Sequence, residues 1–179
     1  RNSVGSETSF VPAWESNNLA VATIDSDGLV TTKGFGVVTI TARHPTGKSG
    51  SIALNIFPRM VAEWRIEIVR ISCTTTQENW ECSEGTPGGN GYLTLASQTE
   101  SSATTMTVQG ILYGQVLEGT VETSGRFVWK TGPDTESWDS EYSKVDGTLT
   151  EERDGVFQIN EDEAKLTGEY TKRSIYEGY

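Results

Sequence analysis

Ala20-Val21-Ala22-Thr23-Ile24-Asp25-Ser26-Asp27-Gly28-Leu29-Val30-Thr31 is the stretch that decides the fold. Apolar and polar residues alternate on both sides of Asp25-Ser26-Asp27-Gly28. Asp-Gly between two such runs is a strong hairpin signal, because glycine enters the left-handed backbone that tight turns demand. Gly36-Val37-Val38-Thr39-Ile40-Thr41-Ala42 reads as a third strand. After the polar loop Arg43-His44-Pro45-Thr46-Gly47-Lys48-Ser49-Gly50 comes a fourth, Ser51-Ile52-Ala53-Leu54-Asn55-Ile56, with Ile52, Leu54 and Ile56 on one face.

The whole chain agrees with a β-rich reading. Of its 179 residues 41 are Ser or Thr and 19 are Gly, while 35% are hydrophobic, so the chain is turn-rich but able to build a core. No run of 18 apolar residues occurs, which excludes a membrane-spanning helix in this chain. With 14 basic and 25 acidic residues the formal charge is −11, and phosphate backbones would be repelled, so no nucleic-acid partner is expected. The charge is uneven. Residues 1–60 carry 5 basic and 4 acidic groups; residues 61–179 carry 9 and 21. Composition shifts at Ile56-Phe57-Pro58-Arg59-Met60, where Pro58 cannot donate to a ladder and holds Phe57 extended. This divides the chain into residues 1–58 and 61–179, joined by a linker of only a few residues, so the two units are expected to touch or to tilt little.

In the first unit, Trp14-Glu15-Ser16-Asn17-Asn18, then Val21–Thr31, then Gly36–Ala42 resemble the bacterial Ig-like domain group 2, whose pattern is W-x-S-x-N, VATVD-x-x-G-x-V and G-x-x-x-I-x-A. The resemblance covers residues 14–56. It implies an Ig-like β-sandwich of the kind found in bacterial surface proteins, adhesins and secreted enzymes, where it is mostly a spacer. The family has one or two more strands before the Trp, and here only Arg1 to Pro12 stand in that place. Three readings are open: a shortened sandwich, a part without order, or completion by a strand from another chain. The last is β-augmentation, in which open backbone donors and an apolar groove receive a foreign strand.

The second unit alternates strand and turn: Trp64–Ile71, Gly91–Leu95, Thr105–Ile111, Gly114–Glu122, Arg126–Lys130, Tyr142–Thr150, Val156–Ile159 and Ala164–Thr171. About eight antiparallel strands in a meander predict an up-and-down barrel. The expected fold is therefore all-β: a partial Ig-like sandwich followed by a meander closing into a barrel. Ala62-Glu63-Trp64 is similar to a weakened Gly-x-Trp, the opening of lipocalin and avidin-type barrels, with Ala in place of Gly. That similarity implies Lys172 or Arg173 over the Trp64 ring.

The remaining constellations are few. Cys73 and Cys82 flank a polar loop, and with one imidazole in the chain they are better read as a disulfide than as zinc ligands, which places the chain in an oxidising, extracellular compartment. His44 stands in a hairpin loop, and no G-x-S-x-G is present, so no nucleophile–base set is expected and the protein is read as non-enzymatic. Asp25-x-Asp27-Gly28 lacks the further oxygen ligands of a calcium loop and reads as a turn. Between Asp134 and Glu163 stand 11 carboxylates against Lys144 and Arg153. They read as a solvated surface, with a cation site at Asp134, Glu136, Asp139 and Glu141 in one loop, or a glycosidase pair, as the sharper alternatives. Trp138 in the polar loop, with Trp129, Tyr113 and Tyr142, forms a candidate sugar or small-ligand surface, since aromatic faces stack on rings while carboxylates accept hydroxyl protons. Nothing in the chain asks for a cofactor. The expected partners are other copies of the chain, other surface proteins, or a glycan.

Overall fold

The computed structural model describes residues 10–69, 87–138, 147–160 and 165–178, and these are strand and turn with no helix among them. Strands β1 (Ala13–Ser16), β4 (Gly36–Arg43) and β5 (Ser49–Ile56) form one sheet in the order β1-β4-β5. Strands β2 (Ala22–Ile24) and β3 (Val30–Thr32) form a second, two-stranded sheet. The two layers enclose a small core: Val21, Ala22, Val38 and Ile40 are buried, and Trp14, Ile24, Val30, Leu54 and Ile56 pack around them.

The polar residues beside Trp14 tie this core together. Asn17 Oδ1 accepts from Thr39 N at 2.7 Å, Ser16 Oγ donates to Ala22 O at 2.7 Å, and Asn18 O accepts from the amides of Val21 and Ala22. Asp25 closes the β2–β3 turn by accepting from the amides of Asp27 and Leu29, both at 2.9 Å. Gly28 follows at φ 86, with the Trp14 ring lying over it where a side chain would stand. Asp25 is thus occupied by the turn itself, as the hairpin reading requires.

The other eight strands make one sheet: β6 (Ala62–Val69), β7 (Pro87–Glu100), β8 (Thr105–Leu112), β9 (Gln115–Glu122), β10 (Arg126–Thr131), β11 (Asp134–Trp138), β12 (Gly147–Asn160) and β13 (Lys165–Gly178). Every neighbouring pair is antiparallel. β10 and β11 share one side of β12, and β13 takes the other. Inner-face side chains of β6 through β10 and of β12, among them Ile66, Leu93, Val108, Val121, Phe127 and Phe157, join in a single core. A lone sheet buries one face only by curling over it, and β13 does return alongside β6, Cα to Cα within 8 Å. No β6–β13 ladder occurs among the described residues, so the sheet is an eight-stranded meander without an observed barrel closure.

Two sequence expectations change here. Residues 134–138 are strand β11, not loop: Pro133 interrupts the chain after β10, and Thr135 then meets Thr150 across the ladder, Oγ1 to Oγ1 at 3.1 Å. The expected break before Val156 is absent, because Asp154-Gly155 continues β12. Gly155 is there for close approach: a Cβ would stand 2.5 Å from Tyr170 Cβ and 2.7 Å from Glu169 O.

The two groups of strands touch. Phe35, between β3 and β4, packs on the core of the large sheet and covers Gly125. Asn55 Nδ2 donates to Ala103 O at 2.6 Å, and Gln98 bridges Met60 N and Pro58 O, both at 2.9 Å.

Candidate functional site

The charged residues that the large sheet draws together lie at one end of its inner face. Along β9, β10 and β12 the inner positions pass from apolar to polar: Leu117 to Gln115, Trp129 to Thr131, Phe157 to Arg153. Ladder register sets Arg153 opposite Lys172 and Glu151 opposite Ser174. The Arg153 side chain is 8% exposed, so its charge must be met from within. Its guanidinium donates to Gln115 Oε1 and, at 2.8 Å, to Glu151 Oε2. Its backbone amide donates to Thr131 Oγ1 at 3.0 Å. Glu151 Oε1 takes the Lys172 ammonium and accepts from Ser174 Oγ at 3.2 Å. Tyr113, at φ 52 in the β8–β9 turn, sets its ring under the guanidinium, 5.3 Å from Arg153 Cζ to centroid.

The electrostatics follow from this geometry. Burial pushes the Glu151 carboxyl up, but Lys172, Arg153 and Ser174 together outweigh it and hold the group below the ordinary carboxylate value. Burial raises the Tyr113 phenol, and the Arg153 charge offsets part of that rise. The arrangement is a satisfied Arg–Glu–Lys network with a neutral tyrosine beneath its guanidinium. It anchors β12, β13 and the β8–β9 turn to one another.

The residues singled out from sequence lie partly within and partly outside the described residues. Trp129 is 2% exposed, its faces against Phe157 at 5.3 Å and Tyr170 at 5.8 Å between centroids, so it is core and not an open stacking platform. Tyr113 is exposed in part but is committed to Arg153. Trp138 and Glu136 stand on β11 opposite Gly147 and Leu149 in the ladder. Asp134 is exposed at the start of that strand. Asp139, Glu141 and Tyr142 lie outside the described residues, as do Cys73 and Cys82 and the expected disulfide between them. Among the described residues no three His, Cys, Asp or Glu side chains gather as a metal centre. His44 bonds Thr46 within its own loop at 2.7 Å and meets the Phe10 ring edge-on at 4.2 Å between centroids. Lys172 and Arg173, expected over Trp64, instead pair with Glu151 and Glu152. Trp64 donates its indole N–H to Met60 O at 2.9 Å.

The sequence reading missed this network because it took Glu151 and Glu152 as part of a solvated acidic run. Their partners arrive from β13, about twenty residues on, and only the β12–β13 register discloses them. The one legible signal was Arg153, one of two cations within the acidic stretch.

Comparison with known proteins bears on the first strands alone. Residues 5–46 match the family model described as intimin, immunoglobulin-like domain. No curated protein and no solved structure matches the chain. The family match does not single out group 2 of the bacterial Ig-like domains; what residues 5–46 are similar to is a bacterial Ig-like domain of the intimin kind.

Proposed function

We propose that this chain is a non-enzymatic structural or adhesive element of a bacterial cell surface, exported to an oxidising compartment where Cys73 and Cys82 pair. Residues 1–58 act as an Ig-like spacer, and residues 61–179 form a curled β-domain whose first and last strands close a barrel. The observation that carries this reading is the similarity of residues 5–46 to the intimin Ig-like domain. The two-layer apolar core around Trp14 supports it, as does the commitment of the described charged cluster to internal pairing. The inner face of the large sheet carries side chains such as Phe127, Leu93 and Leu117, each 0% exposed, which supports a self-packed core. In this role the open sandwich receives a strand from a neighbouring subunit, which would turn a spacer into a unit of assembly.

The thiol state of native material tests the compartment. Alkylation and mass spectrometry should find Cys73 and Cys82 linked, and reduction should lower stability by about 2–3 kcal/mol, the loop-entropy value for a short closed loop. Free thiols at both positions would overturn the export reading, and turnover on a glycan panel would overturn the non-enzymatic one.

A further inference from the structure

Strands with one side unpaired among the described residues differ sharply in the charges they carry. β6 carries Glu63, Arg65 and Glu67, and β13 carries Lys165, Glu169, Lys172, Arg173 and Glu177. Such charges are the usual defence against edge-to-edge pairing. β5 runs eight residues, Ser49-Gly50-Ser51-Ile52-Ala53-Leu54-Asn55-Ile56, without one charge, proline or bulge. Among the described residues it pairs only with β4. Its inner-face Ile52 is 60% exposed, although its ladder partner Ile40 is 3% exposed, because the second layer does not extend over it. At the far end of the strand an open groove of about 600 Å³ runs beside Ile56, Phe57, Val61 and Met106. An adjoining hollow of about 330 Å³ is bounded by Leu54 and Glu100.

The geometry points to β5 as the pairing edge for β5 of a second copy, antiparallel about a two-fold axis, joining two small sheets into one six-stranded sheet. This rests on the surface-assembly reading and specifies its contact. A two-fold perpendicular to the sheet keeps inner residues facing inner residues, so even-numbered positions must meet even-numbered ones. The register that sets Ile52 against Ile52 of the other copy also sets Gly50 against Leu54 and Lys48 against Ile56. Lys48 then enters the hollow that Glu100 of the other copy lines. Both are exposed, and among the described residues neither makes an ion pair. Charge favours this contact over others between copies: residues 1–60 are nearly neutral, whereas residues 61–179, at 9 basic against 21 acidic groups, repel their like.

Sedimentation of the full chain over a range of concentrations reads the dimer. The wild-type chain should reach twice its 19.5 kDa mass. Ile52→Lys, a change at an exposed position, should leave the circular dichroism and melting intact and abolish the dimer. Lys48→Glu should weaken it about tenfold, and Glu100→Lys added to Lys48→Glu should restore it, since two rim ion pairs are exchanged in orientation. Ile52→Cys should cross-link to a dimer under mild oxidation, whereas Val37→Cys, exposed on the outer face of the central strand, should not. A monomeric wild-type chain, a dimer that survives Ile52→Lys, or a charge reversal without rescue would overturn the proposal. A monomer whose β5 amides resist hydrogen exchange has its edge covered otherwise, and also overturns it. None of these outcomes bears on whether the protein is exported, which the thiol measurement decides separately.

Discussion

Removing either member of the Arg153–Glu151 pair should cost very different amounts, and the difference can be worked from the geometry. In Glu151→Gln the carboxylate is lost between two cations. Arg153, 8% exposed, keeps Gln115 but has no counter-charge, and Lys172 faces it across the ladder. Breaking a fully buried pair costs about 3–5 kcal/mol because a charge is stranded. Glu151 is 21% exposed and Gln still accepts a hydrogen bond, which brings the expected loss to about 2 kcal/mol. In Arg153→Met the stem volume is kept and Glu151 retains Lys172 and Ser174. Gln115 Oε1 and the part-exposed Glu151 Oε2 each lose the Arg153 donor but no charge is stranded, and the expected loss stays near about 1 kcal/mol. Urea unfolding at neutral pH, with equal slopes, measures both. Against a total stability of about 5–15 kcal/mol the gap is easily resolved. If Arg153→Met costs as much as Glu151→Gln or more, the network is not an internally neutralised buried cation and the reasoning fails.

The same network sets a pH dependence. A carboxyl held below its unfolded value, about 4.3 for glutamate, contributes stability above that pH and loses it as the pH falls through the folded value. The advantage of the wild-type chain over Glu151→Gln should therefore shrink on acidification below about pH 4; an advantage that grows would contradict the assigned direction. Gly155→Ala places a Cβ against Tyr170 and the Glu169 carbonyl, and overpacking there should cost about 1–3 kcal/mol in thermal or urea unfolding; a neutral result would refute the close packing of β12 on β13. Phe35→Ala removes the side chain that the first unit lends to the core of the second, with a loss of about 2–4 kcal/mol and faster cleavage at Phe57–Met60 in limited proteolysis; unchanged cleavage would show that Phe35 does not couple the units.

How much of this was legible depends on how far apart in sequence the interacting residues lie. The β2–β3 hairpin was readable because Asp25, Asp27 and Gly28 form its turn locally. β4 and β5 were readable from alternation, and so was the all-β class. β1 was not read as a strand, since its four residues, Ala13-Trp14-Glu15-Ser16, are too few to show a period. β11 was hidden because Asp134-Thr135-Glu136-Ser137-Trp138 has the composition of a loop and is a strand only by pairing with β12. Gly155 falls between two runs of alternation, yet its role is to admit Tyr170 from another strand. The burial of Trp129 was hidden for a related reason. An aromatic on an amphipathic strand can face either way, and the ladder turned this one inward. The Arg153 network depends wholly on β12–β13 register, to which no local pattern points.

On the proposed reading, this all-β chain works outside the cell as a surface scaffold. Treating intact bacteria that produce it with a membrane-impermeant, lysine-directed biotin reagent tests that claim most directly. The account predicts that exposed lysines such as Lys48 are labelled on whole cells to the same extent as after lysis. Labelling that appears only after lysis, with a cytosolic marker protected in parallel, would contradict it.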